Sequence, residues 1–171
     1  LGVVIGSLVV AIVGFLDDLD RWPSFKTKLL SQIVAVAILF ACGLVVDRVS
    51  LPWIGSVELG SWGYLVTLVW VVGLTNAFNF MDGLDGMAGT TAIVAAAFFA
   101  FIAYSLGSIF IFVVSYIVAA SVFGFLFYNF PKARIFMGDV GSQFLGFLFA
   151  ALAVLALKSD EFLISFWVMP L

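Results

Sequence analysis

Long uncharged stretches divide this sequence into apolar segments joined by short polar loops. No Asp, Glu, Lys or Arg occurs in six stretches, which are 1–16, 29–46, 59–81, 86–131, 140–157 and 162–171. A helix needs roughly 20 apolar residues to cross a hydrocarbon core of about 30 Å. The stretch 86–131 would be roughly 69 Å long at about 1.5 Å per residue, so it predicts two crossings with a turn at 106–108.

The pattern predicts seven helical segments, which are 1–16, 27–46, 62–80, 87–106, 109–129, 141–157 and 161–171. The first and last are too short to span a bilayer. The chain begins with Leu and lacks the basic region of a signal peptide, so we expect a piece of a longer protein, cut within a helix at each end. The predicted fold class is an all-α polytopic membrane protein, with about five complete transmembrane helices and two partial ones in a single domain over 1–171.

Composition agrees with this pattern. Apolar residues make up 65% of the chain and charged residues 10%, with a mean hydropathy of +1.29, whereas a soluble domain has about 25% charged residues. The apolar content excludes a soluble globule and a disordered chain, and the net charge of −3 argues against nucleic-acid binding.

Basic residues predict the orientation. Alternating crossings place the loops near 17–26, 81–86 and 130–140 on one side and those near 47–61, 107–108 and 158–160 on the other. Five basic residues fall on the first side and two on the second, namely Arg21, Lys26, Lys28, Lys132 and Arg134 against Arg48 and Lys158. The first side is therefore predicted to be cytoplasmic, with interfacial tryptophans opposite it at Trp53, Trp62 and Trp167.

Three acidic clusters follow crossings that end on the predicted cytoplasmic side. In the first, Asp17 and Asp18 are adjacent, and two such carboxylates repel each other unless a cation or a shared proton intervenes. A hard ion such as Mg²⁺ suits the pair because it takes oxygen ligands and keeps substrate phosphates in its shell. A solvated helix end is the alternative.

In the second cluster, polar residues recur at every third position, as Asn76, Asn79, Asp82 and Asp85. On a continuous helix these four would line one strip, and polar side chains near a bilayer usually face a polar cavity. The alternative is a turn in which Asp85 caps the helix that begins near residue 87. Four aligned polar groups exceed what a cap needs, which favours the strip.

The third cluster places Asn129 and Asp139 beside Lys132 and Arg134. Backbone N–H groups at the start of the following helix would add a site that favours anions. The two cations have a second explanation in the positive-inside rule. Taken together, the clusters supply carboxylates for a metal and basic residues for phosphate at one membrane surface, which is the equipment for a Mg²⁺-diphosphate. The chain has no His and one Cys, so the predicted chemistry is that of carboxylates and Mg²⁺.

The three clusters resemble the motifs of the polyprenyl-phosphate N-acetylhexosamine-1-phosphate transferases of glycosyltransferase family 4. The matching segments are GFLDDLD at 14–20, NAFNFMDGLDGMAG at 76–89 and NFPKARIFMGDVGSQFLGF at 129–147. This family includes the phospho-N-acetylmuramoyl-pentapeptide transferase of peptidoglycan synthesis and the enzymes that initiate O-antigen and teichoic-acid synthesis. The residue identities in these motifs are most similar to those of the O-antigen and lipopolysaccharide branch.

The resemblance implies an enzyme of the bacterial inner membrane with its site facing the cytoplasm. In the implied reaction, the phosphate of undecaprenyl phosphate attacks the β-phosphate of a UDP-N-acetylated amino sugar, and UMP leaves. Mg²⁺, or Mn²⁺ in its place, is the implied cofactor, and a homodimer is left open. Family members have about ten or eleven crossings, so the chain would be the central part of such a transferase.

The resemblance also implies residue roles. Asp17 would bind or deprotonate the lipid phosphate with help from Asp18, and Asp139 would be the principal Mg²⁺ ligand, with Asp18 beside it. Asp82 and Asp85 complete the implied catalytic group by positioning the nucleotide and the metal.

The implied substrate-binding residues are Asn76, Asn79, Asn129, Lys28 and Phe136. Lys28 would contact a phosphate, and Phe136 would stack on the uracil ring, with packing at the membrane interface as its alternative role.

One motif of the family is missing. Its members carry a His-rich motif in a later cytoplasmic loop, and this chain has no His. A longer protein would hold that motif beyond residue 171, whereas a complete product of 171 residues is expected to be inactive.

Two rival functions remain open at this stage. An intramembrane prenyltransferase also uses two Asp-rich motifs with Mg²⁺-diphosphate, but Asp17, Asp18 and Asp20 lack the DDxxD spacing of prenyl-diphosphate enzymes. A transporter would place ion-binding residues near the bilayer midplane, whereas the acidic residues here lie at segment ends.

Overall fold

The computed structural model describes residues 1–19, 24–51 and 55–158 of the chain. Within them lie six helices and one two-stranded hairpin. Their bounds are α1 Gly2–Asp18, α2 Phe25–Ala41, β1 Arg48–Leu51, β2 Gly55–Glu58, α3 Trp62–Met81, α4 Met87–Ser105, α5 Ile109–Asn129 and α6 Gly138–Lys158. The predicted segment 161–171, together with Asp20, Arg21, Trp53 and Trp167, lies outside the described residues.

Four helices, α3 to α6, are long and apolar enough to cross a membrane. They match four of the five predicted complete crossings, and the turn between α4 and α5 lies at 106–108 as predicted. The helices α1 and α2 are 17 residues each. The structure thereby confirms an all-α polytopic membrane fold.

Successive helices run in alternate directions, so the bundle has two ends. At one end Lys158 Nζ lies 2.8 Å from Asp47 Oδ2, and the exposed Trp62 begins α3. At the other end α1, α3 and α5 finish while α2, α4 and α6 begin. This second end, called here the motif end, carries all three acidic clusters.

Helix α6 is the centre of the bundle. Its middle, from Leu145 to Val154, is buried on every side, because α1 and α3 pack along it. The close approach of α3 depends on Gly146, where a Cβ atom would come within 2.8 Å of the backbone of Thr75 and the Cβ of Phe78. The helix that carries Asp139 at its start is therefore closely packed on all sides through its middle.

The predicted segment 27–46 was wrong in its bounds. Helix α2 ends at Ala41, and Gly43 then adopts a left-handed φ of +73°. The chain continues as a buried extended segment, in which the N–H of Val46 donates to Thr67 Oγ1 on α3 at 2.9 Å. Apolar residues extend past the helix end because this segment packs back into the bundle.

The region 47–61 was predicted as a loop and instead contains the hairpin β1–β2. Arg48 pairs with Glu58 and Val49 with Val57 in antiparallel register. A four-residue strand gives too short an alternation of apolar and polar residues to be told from a loop by pattern alone.

We predict that Gly146→Val lowers the free energy of unfolding by about 1–3 kcal/mol, because the added side chain would force α3 away from α6. Heating the detergent-solubilised protein and measuring the fraction that remains monodisperse would test this. The matched control is Gly124→Val on α5, where a Cβ atom would meet no atom of the described residues within 4 Å. Equal loss of stability in both variants would contradict the packing argument.

Candidate active site

The candidate active site lies at the motif end, where residues far apart in the sequence meet. Asp17 and Asp18 come from the end of α1, Lys28 from the first turns of α2, Asn79 from the last turn of α3 and Asp139 from the start of α6. Helix direction accounts for the meeting, since three helices end and three begin at this level.

Lys28 links the first and third acidic clusters. Its ammonium Nζ lies 2.9 Å from Asp17 Oδ2 and 2.5 Å from Asp139 Oδ2. The two carboxylate oxygens therefore lie no more than about 5.4 Å apart, a separation at which two like charges repel by about 3 kcal/mol at an effective dielectric constant of about 20. The Lys28 charge offsets that repulsion.

Both oxygens of Asp139 are engaged. Asn79 Nδ2 donates to Oδ1 at 2.9 Å, and Gln143 Nε2 donates to Oδ2 at 3.0 Å beside Lys28. Asn79 also donates to Ser142 Oγ at 2.8 Å. Donors from three helices thus fix the orientation of this carboxylate.

Two other aspartates hold the start of α6. Asp18 accepts from the N–H groups of Asp139 and Val140 at 2.9 and 3.0 Å. Asp82 accepts from those of Met137 and Gly138 at 3.3 and 3.0 Å. Four consecutive backbone donors, which a helix start leaves without intrahelical partners, are satisfied by carboxylates from α1 and from the end of α3.

The predicted anion-favouring helix start is therefore occupied by the chain's own carboxylates. Gly138 allows the close approach of Asp18, since its φ is +67° and a Cβ atom would lie 2.6 Å from Asp18 Oδ2. The capping role of Asp18 follows from these contacts, and its role as a metal ligand stays a prediction.

Burial raises the pKa of Asp82 above its ordinary value, and the charges of Asp139 and Asp18 act in the same direction. The N–H groups of Met137 and Gly138 partly offset this by stabilising the carboxylate. A positive ion near Asp82 would favour its charged form.

The prediction that four polar residues line one strip of a continuous helix is wrong for the last two of them. Asn76 and Asn79 lie on α3, but the helix ends at Met81, so Asp82 is its C-terminal cap residue and Asp85 lies in the following turn. Asp85 is exposed and accepts from the N–H of Ala133 at 3.2 Å. The alternative prediction, that Asp85 caps α4, is also wrong. The N-cap residue of α4 is Gly86, and no side chain makes a cap hydrogen bond there.

Asn129 joins the second and third motifs. It is buried, accepts from the N–H of Gly86 at 2.9 Å and donates to the carbonyl oxygen of Ile135 at 2.9 Å. It therefore supports the site by fixing two loops.

Phe136 is half-exposed and lines an open, mostly apolar surface groove with Met137, Gly141 and Phe144. Its predicted stacking on uracil and its alternative role in packing both remain open. Lys132 and Arg134 are exposed at the same end.

Sequence reasoning missed Ser142, Gln143 and Gln32. Gln143 lies one helical turn after Asp139, and Gln32 one turn after Lys28, so each shares a helix face with a predicted site residue. An amide side chain in an otherwise apolar stretch of a membrane helix was the available signal.

The donor set fits a hard divalent ion. Within the described part of the chain, Asp17 Oδ1 is buried without a hydrogen-bond partner, and it belongs to a carboxylate that shares Lys28 with Asp139. Among the described residues no three acidic, His or Cys side chains form a ready cage for a metal. Mg²⁺ usually binds through one or two carboxylates and substrate phosphates, which matches the pair Asp17 and Asp139.

We predict that Asp82→Ala loosens the loop before α6. Two partly buried N–H groups would lose their acceptor, at about 1–3 kcal/mol, so tryptic cleavage after the exposed Lys132 and Arg134 should quicken roughly tenfold. Mass spectrometry of timed digests in detergent would measure it. Asp47→Ala, at the opposite end, serves as the control, and an unchanged cleavage rate in Asp82→Ala would refute the anchoring role.

Comparison with known proteins agrees with the motifs. The model of the family described as glycosyl transferase family 4 matches residues 1–157. The chain is 39% identical to the probable undecaprenyl-phosphate N-acetylglucosaminyl 1-phosphate transferase of Bacillus subtilis (strain 168), covering 95% of the chain and 46% of that protein.

Two phospho-N-acetylmuramoyl-pentapeptide-transferases are also similar. That of Leuconostoc citreum (strain KM20) is 34% identical over 84% of the chain and 48% of its own length. That of Halalkalibacterium halodurans is 37% identical over 85% and 48%. The chain thus spans about half the length of the curated relatives it matches. By the extent of the family match, it belongs to glycosyl transferase family 4.

Proposed function

We propose that this chain carries the catalytic core of an enzyme that transfers a HexNAc-1-phosphate from a UDP-amino sugar to undecaprenyl phosphate, with Mg²⁺ as cofactor. The observation that supports this most directly is the meeting of Asp17 and Asp139 on Lys28 at one end of a membrane bundle. The names of the relatives supply the substrate class, since they include an undecaprenyl-phosphate N-acetylglucosaminyl 1-phosphate transferase.

In the proposed reaction, an oxygen of the lipid phosphate attacks the β-phosphorus of the UDP-sugar. The bond from that phosphorus to the bridging oxygen breaks, and the oxygen leaves with UMP. Such a transfer depends on positioning and on neutralisation of charge. Bound Mg²⁺ would supply neutralising charge at the diphosphate.

The chain's own residues would orient the reactants. Asp17 lies at the end of α1, and its Oδ1 has no partner among the residues that the structure describes. We assign it to hold the lipid phosphate or accept its proton. Asp139 is fixed by donors from Asn79, Lys28 and Gln143, which suits a ligand whose oxygen must keep one direction. Lys28 would exchange one of its carboxylate contacts for a substrate phosphate.

The motif end would face the cytoplasm of a bacterial inner membrane. Lys132 and Arg134 are exposed at this end, as the positive-inside rule requires, and UDP-sugars are cytoplasmic. The O-antigen branch, the stacking role of Phe136 and a homodimer remain predictions from the resemblance.

The decisive assay uses membranes that contain the full-length protein, undecaprenyl phosphate and a UDP-N-acetylated amino sugar. Release of UMP together with a lipid-linked sugar phosphate is expected. Release of pyrophosphate from a prenyl diphosphate would instead indicate the prenyltransferase alternative, and counter-transport of metal in liposomes without a lipid product would indicate a transporter.

We predict that Asp17→Asn or Asp139→Asn lowers the rate of transfer by at least about 100-fold, because each removes charge at the reacting phosphates. Transfer would be followed by UMP release, and membrane insertion by the amount of folded protein. Glu58→Gln, on the exposed strand β2 at the other end, is the matched control. Near-normal turnover in either aspartate variant would contradict the assigned roles.

We also predict that removal of divalent cations with a chelator abolishes transfer, since the carboxylates alone cannot neutralise a diphosphate. Added Mg²⁺ should restore it, and Mn²⁺ should do so in part. Full activity in a chelator, with residual metal checked by elemental analysis, would contradict a metal-dependent mechanism.

A further inference from the structure

We infer that Gln143 and Gln32 are positioning residues, and that a line of hydrogen-bonded amides running through them from Asn76 fixes the direction of the Asp139 carboxylate. The inference deepens the proposed function and rests on it for the role of Asp139. Gln143 contacts Asp139 directly, whereas Gln32 contacts Gln143 and the implied substrate-binding residue Asn76. Both glutamines would therefore act on the metal through Asp139.

The line crosses three helices. Gln143 Nε2 on α6 donates to Asp139 Oδ2 at 3.0 Å, and its Oε1 accepts from Gln32 Nε2 on α2 at 3.1 Å. The Oε1 of Gln32 accepts from Asn76 Nδ2 on α3 at 2.7 Å. Asn76 Nδ2 also donates to the carbonyl oxygen of Val72 at 2.7 Å.

The groups at the two ends of the line accept hydrogen bonds, so the amide next to each of them must present its NH₂ group. A carboxylate only accepts hydrogen bonds, so Gln143 must present its NH₂ group to Asp139. A backbone carbonyl also only accepts, so Asn76 must present its NH₂ group to Val72. Between these ends Gln32 Nε2 donates to Gln143 Oε1 and, at 3.5 Å, back to Asn76 Oδ1, while its Oε1 accepts from Asn76. Gln32 therefore satisfies its neighbours in only one of its two amide orientations.

Burial makes the orientation costly to change. Gln32 and Gln143 are 0% and 2% exposed, and a buried amide that loses a partner costs about 1–3 kcal/mol. If Gln32 loses its donor function, Gln143 Oε1 becomes an unpaired buried acceptor. Rotation of Gln143 would then turn an acceptor toward Asp139 Oδ2, where a donor is needed.

The consequence is that hydrogen bonds from neighbouring side chains fix the direction of the Asp139 carboxylate. Asp139 receives Gln143 from its own helix and Asn79 from α3. An ion would thus meet oxygens of fixed direction. Partners of this kind behind a metal ligand typically change metal affinity by about 10- to 100-fold when removed.

The test measures Mn²⁺ binding by electron paramagnetic resonance on the purified full-length protein in detergent. Gln143→Met and Gln32→Met should each raise the Kd for Mn²⁺ by about 10-fold or more. The Kd for Mn²⁺ of the double variant should be no higher than that of the weaker-binding single variant, because both substitutions interrupt the same line.

Trp70→Phe is the matched control. It also removes a hydrogen bond between α3 and α6, from Trp70 Nε1 to the carbonyl oxygen of Ala150 at 3.3 Å, but lies outside the line. Its Kd for Mn²⁺ should stay within about twofold of the wild-type value. Thermal unfolding of all variants without metal would show whether folding is retained.

Asn76→Ala, at the far end of the line, provides a second test if Gln32→Met does not fold, and it should raise the Kd for Mn²⁺ above that of Trp70→Phe, because it removes the donor to Gln32 Oε1. The inference is overturned if the variants of the line bind Mn²⁺ as Trp70→Phe does. It is also overturned if the effects of Gln32→Met and Gln143→Met multiply in the double variant, or if the wild-type protein binds no Mn²⁺.

Failure of the proposed function would give a different result. Suppose that the wild-type protein binds Mn²⁺, that the variants of the line bind it more weakly as expected, and that no sugar phosphate is transferred. This result would overturn the proposed function and leave the role of the line intact. A wild-type protein that transfers sugar phosphate while Gln32→Met binds Mn²⁺ normally would overturn the line alone.

Discussion

The start of helix α6 is the point on which the site depends. A helix start leaves its first N–H groups without partners inside the helix, and Asp18 and Asp82 accept from four of them in sequence. These carboxylates come from α1 and from the end of α3. One set of hydrogen bonds therefore ties three chain segments together and places Asp139 between them.

A second constraint is electrostatic. Carboxylates drawn toward one helix start repel each other, and the Lys28 ammonium between Asp17 and Asp139 offsets that repulsion. Lys28 lies between two carboxylate oxygens, a position that the divalent ion of the proposed function would also favour.

The buried middle of α6 keeps this arrangement rigid. Gly146 lets α3 pack against α6 at close range, and the amides of Gln32 and Gln143 add directional bonds across the same helices. Apolar packing alone would fix the distance between helices but not the rotation of a carboxylate at their ends. The polar groups buried at the motif end fix that rotation.

The sequence by itself determined the membrane class, the alternating helices and the end of the bundle at which Asp17, Asp18, Asp82, Asp85 and Asp139 lie, because uncharged length and charge position suffice for those. It also identified the family, since three motifs occur in order. Only the tertiary structure decided which groups touch. The second motif leaves its helix at Met81, the hairpin β1–β2 forms, and Gln32 meets Gln143 across 111 positions. Periodicity reports which face of one helix is apolar, whereas these contacts depend on where separate helices end and how closely they pack.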